Sequence, residues 1–335
     1  MIRSLRVILC IAALTACALA QTTLNGAGAT FPYPIYSKWF AEYHNLHPEV
    51  QVNYQSIGSG GGIRQVQAGT VDFGATDGPM SDEQIAASKV KVLHVPTVLG
   101  AVVPAYNIPG VSQEVKLTPE ILAGIFLGKI TNWSDAAISK VNPDIKLPNQ
   151  NITVVHRSDG SGTTYIFTDY LSKISPDWQN AAGKGTSIKW PVGVGGKGNE
   201  GVAGMIRQLP GSIGYIELIY ALQNNINYGS VKNSSGQFVK ASLESTTAAA
   251  AGVKMPADFR VSITNPPGKT AYPIASFTWL LIPTSPADKN KGKLLKDLVL
   301  WALESGEPMV SALSYAPLPN EVADKVKAAV NQQVK

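Results

Sequence analysis

The chain has 335 residues, with 28 Lys and Arg against 23 Asp and Glu, a formal charge of +5, and only 15% charged side chains beside 44% hydrophobic ones. That length and apolar content suit two domains with real cores, and a positive excess without a basic stripe or interleaved aromatics excludes a nucleic-acid partner. Both cysteines, Cys10 and Cys17, fall within the first twenty residues, which excludes disulfides and cysteine-ligated metals from the rest.

Residues 1–20 read as a targeting segment. Arg3 and Arg6 make a basic start, Val7 to Ala16 an apolar middle, and Ala18-Leu19-Ala20 a small-residue cleavage site before Gln21. The apolar run is too short to stay in a membrane as a spanning helix. Leu14-Thr15-Ala16-Cys17 offers an alternative, a lipobox that would leave Cys17 lipidated. Loss of Arg3 and Arg6 with this segment lowers the formal charge by two.

The first glycine-rich turn is Asn25-Gly26-Ala27-Gly28-Ala29-Thr30-Phe31-Pro32, followed by a helix with Ile35, Trp39, Phe40 and Tyr43 on one side. Val50 to Tyr54 alternates as a strand. Gly58-Ser59-Gly60-Gly61-Gly62 then leads into a short helix capped by Gly69. Val71 to Ala75 is another strand, ending at Thr76-Asp77-Gly78-Pro79. Val98 to Val103 reads as a long apolar strand, and Pro119 to Leu127 as a helix.

Ile152 to Val155 reads as a buried strand. It runs into Arg157-Ser158-Asp159-Gly160-Ser161-Gly162-Thr163-Thr164 and then a helix with apolar residues at 166, 167, 170, 171 and 174. A strand, a small-residue turn and a helix start together present unpaired N–H groups and a positive dipole end. Ser161, Thr163 and Thr164 add hydroxyls, Gly160 and Gly162 permit close approach, and Arg157 adds a planar fork that Asp159 is placed to steady. An ordinary N-cap would use the same serines and threonines. The pattern recurs at 26–31, 58–62 and 159–164, so three helix starts can converge on one oxyanion.

Residues 193–204 are glycine-rich and read as packing plus a tight turn. Gly193-Val194-Gly195-Gly196-Lys197-Gly198 fits a dinucleotide fingerprint formally, but Pro191 spoils the strand that should precede it, and Gly198 stands where a phosphate-binding Lys-Ser/Thr pair would need its hydroxyl. Residues 241–252 read as an exposed helix or loop. Phe277 to Ile282 is a second long apolar strand, and the tail from 288 is helical, with apolar faces at 294, 295, 298, 299 and 302 and at 322, 326 and 330. Alternating strands and helices imply an α/β protein with sheets covered on both faces. Catalysis has little to stand on. No Gly-x-Ser-x-Gly surrounds Ser161. Of the four histidines His44, His47, His94 and His156, the first two lack a third partner for a metal, and solvated surface histidines fit better.

In order along the chain, these segments resemble the substrate-binding subunit of bacterial high-affinity phosphate ABC importers. The residues that carry the likeness are Asn25 to Pro32, Gly58 to Gly62, Val71 to Asp77, Gly128-Lys129-Ile130-Thr131-Asn132-Trp133, Arg157 to Thr163, Lys189-Trp190-Pro191 with Gly193 to Gly201, and Leu209 to Tyr215. The resemblance implies a two-lobe periplasmic binding protein of type II, with 21–98 plus 278–335 as one lobe and 99–277 as the other. Two crossover strands would hinge them near 95–105 and 272–283 over a ligand cleft. It implies Thr30, Phe31, Ser59 and Asp77 on one side of a phosphate and Arg157, Ser161, Gly162 and Thr163 on the other, with Asp159 orienting Arg157. It implies no cofactor, no metal and no catalysis. The expected partners are inorganic phosphate and the membrane permease with its ATPase subunits, the expected place is the periplasm, and delivery to a permease favours a monomer. Ser59-Gly60 departs from the two serines of many relatives. A carboxylate at Asp77 makes sense beside an anion that carries a proton. Phosphate does and sulfate does not, and a site that demands such a donor can reject the wrong ligand by roughly 10⁴-fold. The alternatives are a secreted phosphate-ester hydrolase and a binding protein for another oxyanion; arsenate shares phosphate's shape and protonation.

Overall fold

The structure, a computed structural model, describes residues 21–335. The expected targeting segment and the Cys17 alternative lie outside these residues.

The chain opens with β1 (Thr22–Gly28), α1 (Tyr33–Leu46), β2 (Val50–Ser56), α2 (Ser59–Ala68), β3 (Phe73–Thr76) and α3 (Asp82–Ala86). The long strand β4 (Val92–Asn107) follows, then β5 (Lys116–Leu117), α4 (Pro119–Phe126), α5 (Ala136–Val141), β6 (Thr153–Arg157), α6 (Gly162–Ile174) and α7 (Pro176–Ala181). After these come β7 (Val194–Gly196), α8 (Gly198–Gln208), β8 (Ser212–Glu217), α9 (Leu218–Gln223), three short strands β9 (Asn227–Tyr228), β10 (Ser230–Lys232) and β11 (Phe238–Val239), and α10 (Leu243–Ala249). β12 (Ala275–Pro283) returns, and α11 (Lys289–Leu303), α12 (Pro308–Ala312) and α13 (Asn320–Gln333) close the described residues.

The main sheet runs β2-β1-β3-β12-β4-β8-β6-β7, with β9 also on β4, and β11-β10-β5 form a separate small sheet. β1 is parallel to β2 and β3, and β6 is parallel to β7 and β8. The pairings of β12 with β3 and β4, and of β4 with β8, are antiparallel. β4 spends its first part, Val92 to Ala101, against β12, and its second, Val102 to Asn107, against β8. The handover is tight: Ala101 faces Ala275, and the Val102 N–H donates to the Ile274 carbonyl at 2.9 Å. β4 and β12 read as near-continuous apolar runs because both faces are covered, and every residue of β12 is buried.

Trp39, Trp133, Trp178 and Trp279 are at most 2% exposed. Each indole N–H donates to a backbone carbonyl, of Gly306, Gly211, Gly183 and Phe259 respectively, at 2.8–2.9 Å. The large rings therefore enter the core without leaving a donor unpaired.

Three readings of the sequence need correction. β1 had no strand signal, because Asn25, Gly26 and Gly28 are poor strand formers. Pairing on both edges overrides that preference, and Gly26 is needed because a Cβ there would run into the Phe73 ring. The first glycine run is thus the end of a strand, and the turn proper is shorter. The segment 241–252 is only partly exposed: α10 buries Ser245, Thr246 and Ala249 and leaves Glu244 and Thr247 outside. His94 is not a solvated histidine. It is 3% exposed, and its Nε2 accepts the Met80 N–H at 3.1 Å.

Candidate functional site

Three turns meet where α1, α2 and α6 begin. Thr30 and Phe31 lie just before α1, Ser59 is the first residue of α2, Asp77 follows β3, and Ser161, Gly162 and Thr163 open α6. Thr30, Phe31, Ser59, Asp77, Arg157, Ser161 and Thr163 are each no more than 3% exposed. The Gly60 N–H donates to the Gly160 carbonyl at 2.9 Å, which presses the second and third turns together. Gly162 has no room for a side chain, since a Cβ would strike the Ser59 hydroxyl and the Asp77 carboxylate. All of the site residues read from the sequence are therefore brought into one buried cluster.

The polarity of the cluster is mostly that of a donor set. Arg157 Nε donates to Asp159 Oδ1 at 2.8 Å and Nη2 to Oδ2 at 2.5 Å, the bidentate fork expected of this pair. The Gly198 N–H also donates to Asp159 Oδ1, at 3.0 Å. Burial works against a charge on Asp159, but the hydrogen bonds and positive charge of Arg157 outweigh it and hold the carboxyl below its usual range. The remaining Arg157 nitrogen, Nη1, reaches Thr163 Oγ1 at 3.3 Å. Ser161 Oγ caps α6 by accepting the Thr164 N–H at 3.0 Å, so both the capping and the ligand readings of this serine are compatible. Gly162 and Thr163 occupy the first two positions of the helix, where the helix itself supplies no acceptor for their N–H groups.

Tyrosines behind the cluster aim its backbone. Tyr220 Oη donates to the Thr30 carbonyl and Tyr315 Oη to the Phe31 carbonyl, both at 2.6 Å. In a trans peptide the N–H points opposite to the C=O, so Tyr220 fixes the direction of the Phe31 N–H.

Asp77 is the exception among these donors. Its Oδ1 accepts from Thr278 Oγ1 at 2.8 Å, its Oδ2 from Ser59 Oγ at 3.3 Å, and its N–H returns a bond to Ser59 Oγ at 3.1 Å. Burial pushes the carboxyl up to about 7, against the lowering pull of Thr278, Arg157 and Ser59. At neutral pH this group can therefore take or share a proton.

Sequence reasoning missed Thr278 and Asn199. Thr278 sits in an apolar strand whose only visible signal was burial. Asn199 lies in the glycine-rich run that read as packing; it is fully buried and bonds both Thr30 and Thr163. Of the four histidines, none hydrogen-bonds Ser161 among the described residues. His44 Nδ1 pairs with the Val50 carbonyl, His47 lies near Glu49, and His156 stacks on Trp190.

A model of the PBP superfamily domain matches residues 15–305. The chain is 45% identical over 308 residues to the phosphate-binding protein PstS of Xylella fastidiosa, covering 91% of this chain and 84% of that one. It is also 45% identical over 316 residues to PstS of Pasteurella multocida, covering 93% and 91%. The chain belongs to the PstS family of phosphate-binding proteins. Among solved structures, a high affinity periplasmic phosphate-binding protein (PfluDING) bound with phosphate superposes with a TM-score of 0.76 at 24% identity, covering 92% of this chain and 94% of that one. At that identity the match speaks for the fold, a mixed α/β periplasmic binding protein, as the resemblance implied. In this PstS-family chain no helix of the described residues is long and apolar enough to cross a membrane.

One variant tests the packing of the cluster directly. Gly162→Ala is expected to weaken anion binding by about 10- to 100-fold, because overpacking a tight contact costs about 1–3 kcal/mol. Equilibrium titration against the parent checks it, and equal affinity would mean that Ser59 and Asp77 can step aside.

Proposed function

We propose that this protein binds inorganic phosphate after export and delivers it to a membrane ABC permease and its ATPase subunits, without catalysis. In this reading the ligand is held by the Thr30, Ser59, Ser161 and Thr163 hydroxyls, by N–H groups of Phe31, Gly162 and Thr163, and by Arg157. Asp77 accepts the phosphate proton, and Asp159 holds Arg157 in place. The lobes are 21–98 with 278–335, and 99–277; β4 and β12 supply the crossover strands, and their handover at Ala101, Val102, Ile274 and Ala275 supports a hinge there. The names of the relatives support phosphate as ligand.

The observation that carries the reading is one buried carboxylate, Asp77, set among donors that would otherwise suit any oxyanion. Monohydrogen and dihydrogen phosphate can each donate to it, whereas sulfate brings only acceptors, and above pH 7 Asp77 is mostly ionised and has no proton of its own to offer. Two facing acceptors with no proton between them leave both buried and unpaired. Calorimetric titration of the ligand-stripped protein with phosphate, and separately with sulfate, is the test. One-to-one phosphate binding with no sulfate heat is expected. Binding of both would break the selectivity argument, and binding of neither would overturn the reading.

A further inference from the structure

We propose that Asn199 is a positioning residue of the phosphate site, one that turns the hydroxyl protons of Thr30 and Thr163 toward the ligand and joins the two halves of the cleft. The proposal rests on the phosphate-binding reading above.

Its basis is a count of hydrogen-bonding capacity. The Asn199 carboxamide oxygen accepts the Glu217 N–H at 2.9 Å. A backbone N–H can only donate, so this contact settles which amide atom is oxygen and which is nitrogen. The amide nitrogen then has two protons to place. It donates to Thr30 Oγ1 at 2.8 Å and to Thr163 Oγ1 at 3.1 Å. Thr30 Oγ1 also accepts the Asn199 backbone N–H at 3.2 Å, and Thr163 Oγ1 also accepts from Arg157 Nη1 at 3.3 Å.

A threonine hydroxyl has two acceptor lone pairs and one proton. Each of these two hydroxyls has both lone pairs taken by N–H donors, so the one thing left for it to do is donate. A hydroxyl free to rotate would present either polarity to a ligand. These two are fixed as donors, which suits an anion rich in acceptor oxygens. The order is built into the meeting of the two halves, so neither hydroxyl has to be turned by the ligand itself.

The same contacts cross between the halves. Thr30 follows β1, while Asn199 lies in the first turn of α8 and Thr163 in that of α6. α8 has no side-chain cap of its own at its N-cap, Lys197, and Thr30 supplies one from the opposite half by accepting the Asn199 N–H. Asn199 is fully buried, so none of these donors can turn to water instead.

The test is a double-variant cycle on phosphate affinity with Asn199→Ala, Thr30→Val and the two combined. The parent is titrated first; if it binds no phosphate, the phosphate reading falls and this proposal with it. Asn199→Ala is expected to weaken phosphate by about tenfold, the scale of hydrogen bonds lost to a charged group. If Asn199 acts through the Thr30 hydroxyl, the combined variant binds about as weakly as the weaker single one. Two losses that multiply would show independent structural effects and overturn the proposal, as would an Asn199→Ala affinity equal to the parent's. Asn199→Asp has the same shape and covers the case in which the alanine variant does not fold. Protonated, the new carboxyl still donates a hydrogen bond; ionised, it draws both hydroxyl protons away from the ligand. Its affinity relative to the parent should therefore fall as pH rises, with the titration of phosphate, Asp77, Asp159 and Glu217 common to both proteins. An Asn199→Asp variant that tracks the parent at every pH would overturn the proposal.

Discussion

Asp77→Asn is expected to leave most of the phosphate affinity in place and to open the site to sulfate. The amide oxygen can keep the hydrogen bond from Thr278 Oγ1, and the amide nitrogen replaces an acceptor with a donor at the atom now facing Ser59 and Gly162. Phosphate retains acceptor oxygens for that donor, so it loses little. Sulfate no longer meets a carboxylate, and up to the roughly 10⁴-fold rejection expected of an unpaired acceptor is removed. Sulfate titration of the variant checks this, and unchanged rejection would sink the role given to the ligand's proton. The same substitution has a second readout. In the folded, unliganded protein the carboxyl is pushed from 3.8 up to about 7. Between those values the folded state binds a proton that the unfolded chain has released. The stability so gained is full below pH 4 and is lost as pH climbs through 7, by an amount on the order of 4 kcal/mol at most. Thermal unfolding at pH 5 and pH 8 should show a steeper decline in the parent than in Asp77→Asn, which keeps the decline from the buried Glu217 carboxyl, held well above its ordinary range by burial.

Arg157→Ala is expected to weaken phosphate binding by about 1.5–3 kcal/mol, the scale of charge-assisted hydrogen bonds. The structure adds a reason for the loss to reach the upper end. Without the guanidinium, Asp159 keeps only its bond from the Gly198 N–H and leaves a negative charge beside the anion. Arg157→Lys restores a charge but not the fork, and should recover only part of the affinity. Calorimetry on the three proteins decides it; an alanine isotherm equal to the parent's would remove Arg157 from the site.

The sequence made parts of this site readable for identifiable reasons. Arg157, Asp159 and the α6 start stand within eight residues of one another, so a local pattern contained their geometry. β4 and β12 were visible because a strand buried on both faces must be apolar. Asn199 and Thr278 were not readable, because each matters only through partners far along the chain: Thr30 lies 169 positions from Asn199, and Asp77 lies 201 from Thr278. No local spacing encodes such a meeting. β1 was missed for the related reason that its strand state comes from its two neighbours and not from its own residues.

The adjacency of Ala101 with Ala275 has a genealogical side. Residues 102–274 begin and end at that one point and build β8, β6, β7 and β9 onto the sheet beyond it, as an inserted cassette would. Arg157, Ser161 and Thr163 travel inside that cassette, while Thr30, Ser59 and Asp77 belong to the host. Under the proposed phosphate reading, a recombination event that swapped the cassette would exchange the Arg157 side of the site in one step and leave Asp77 behind. Anion preference in such a chimera would then have to be renegotiated across the seam, starting at the Asn199 contacts with Thr30.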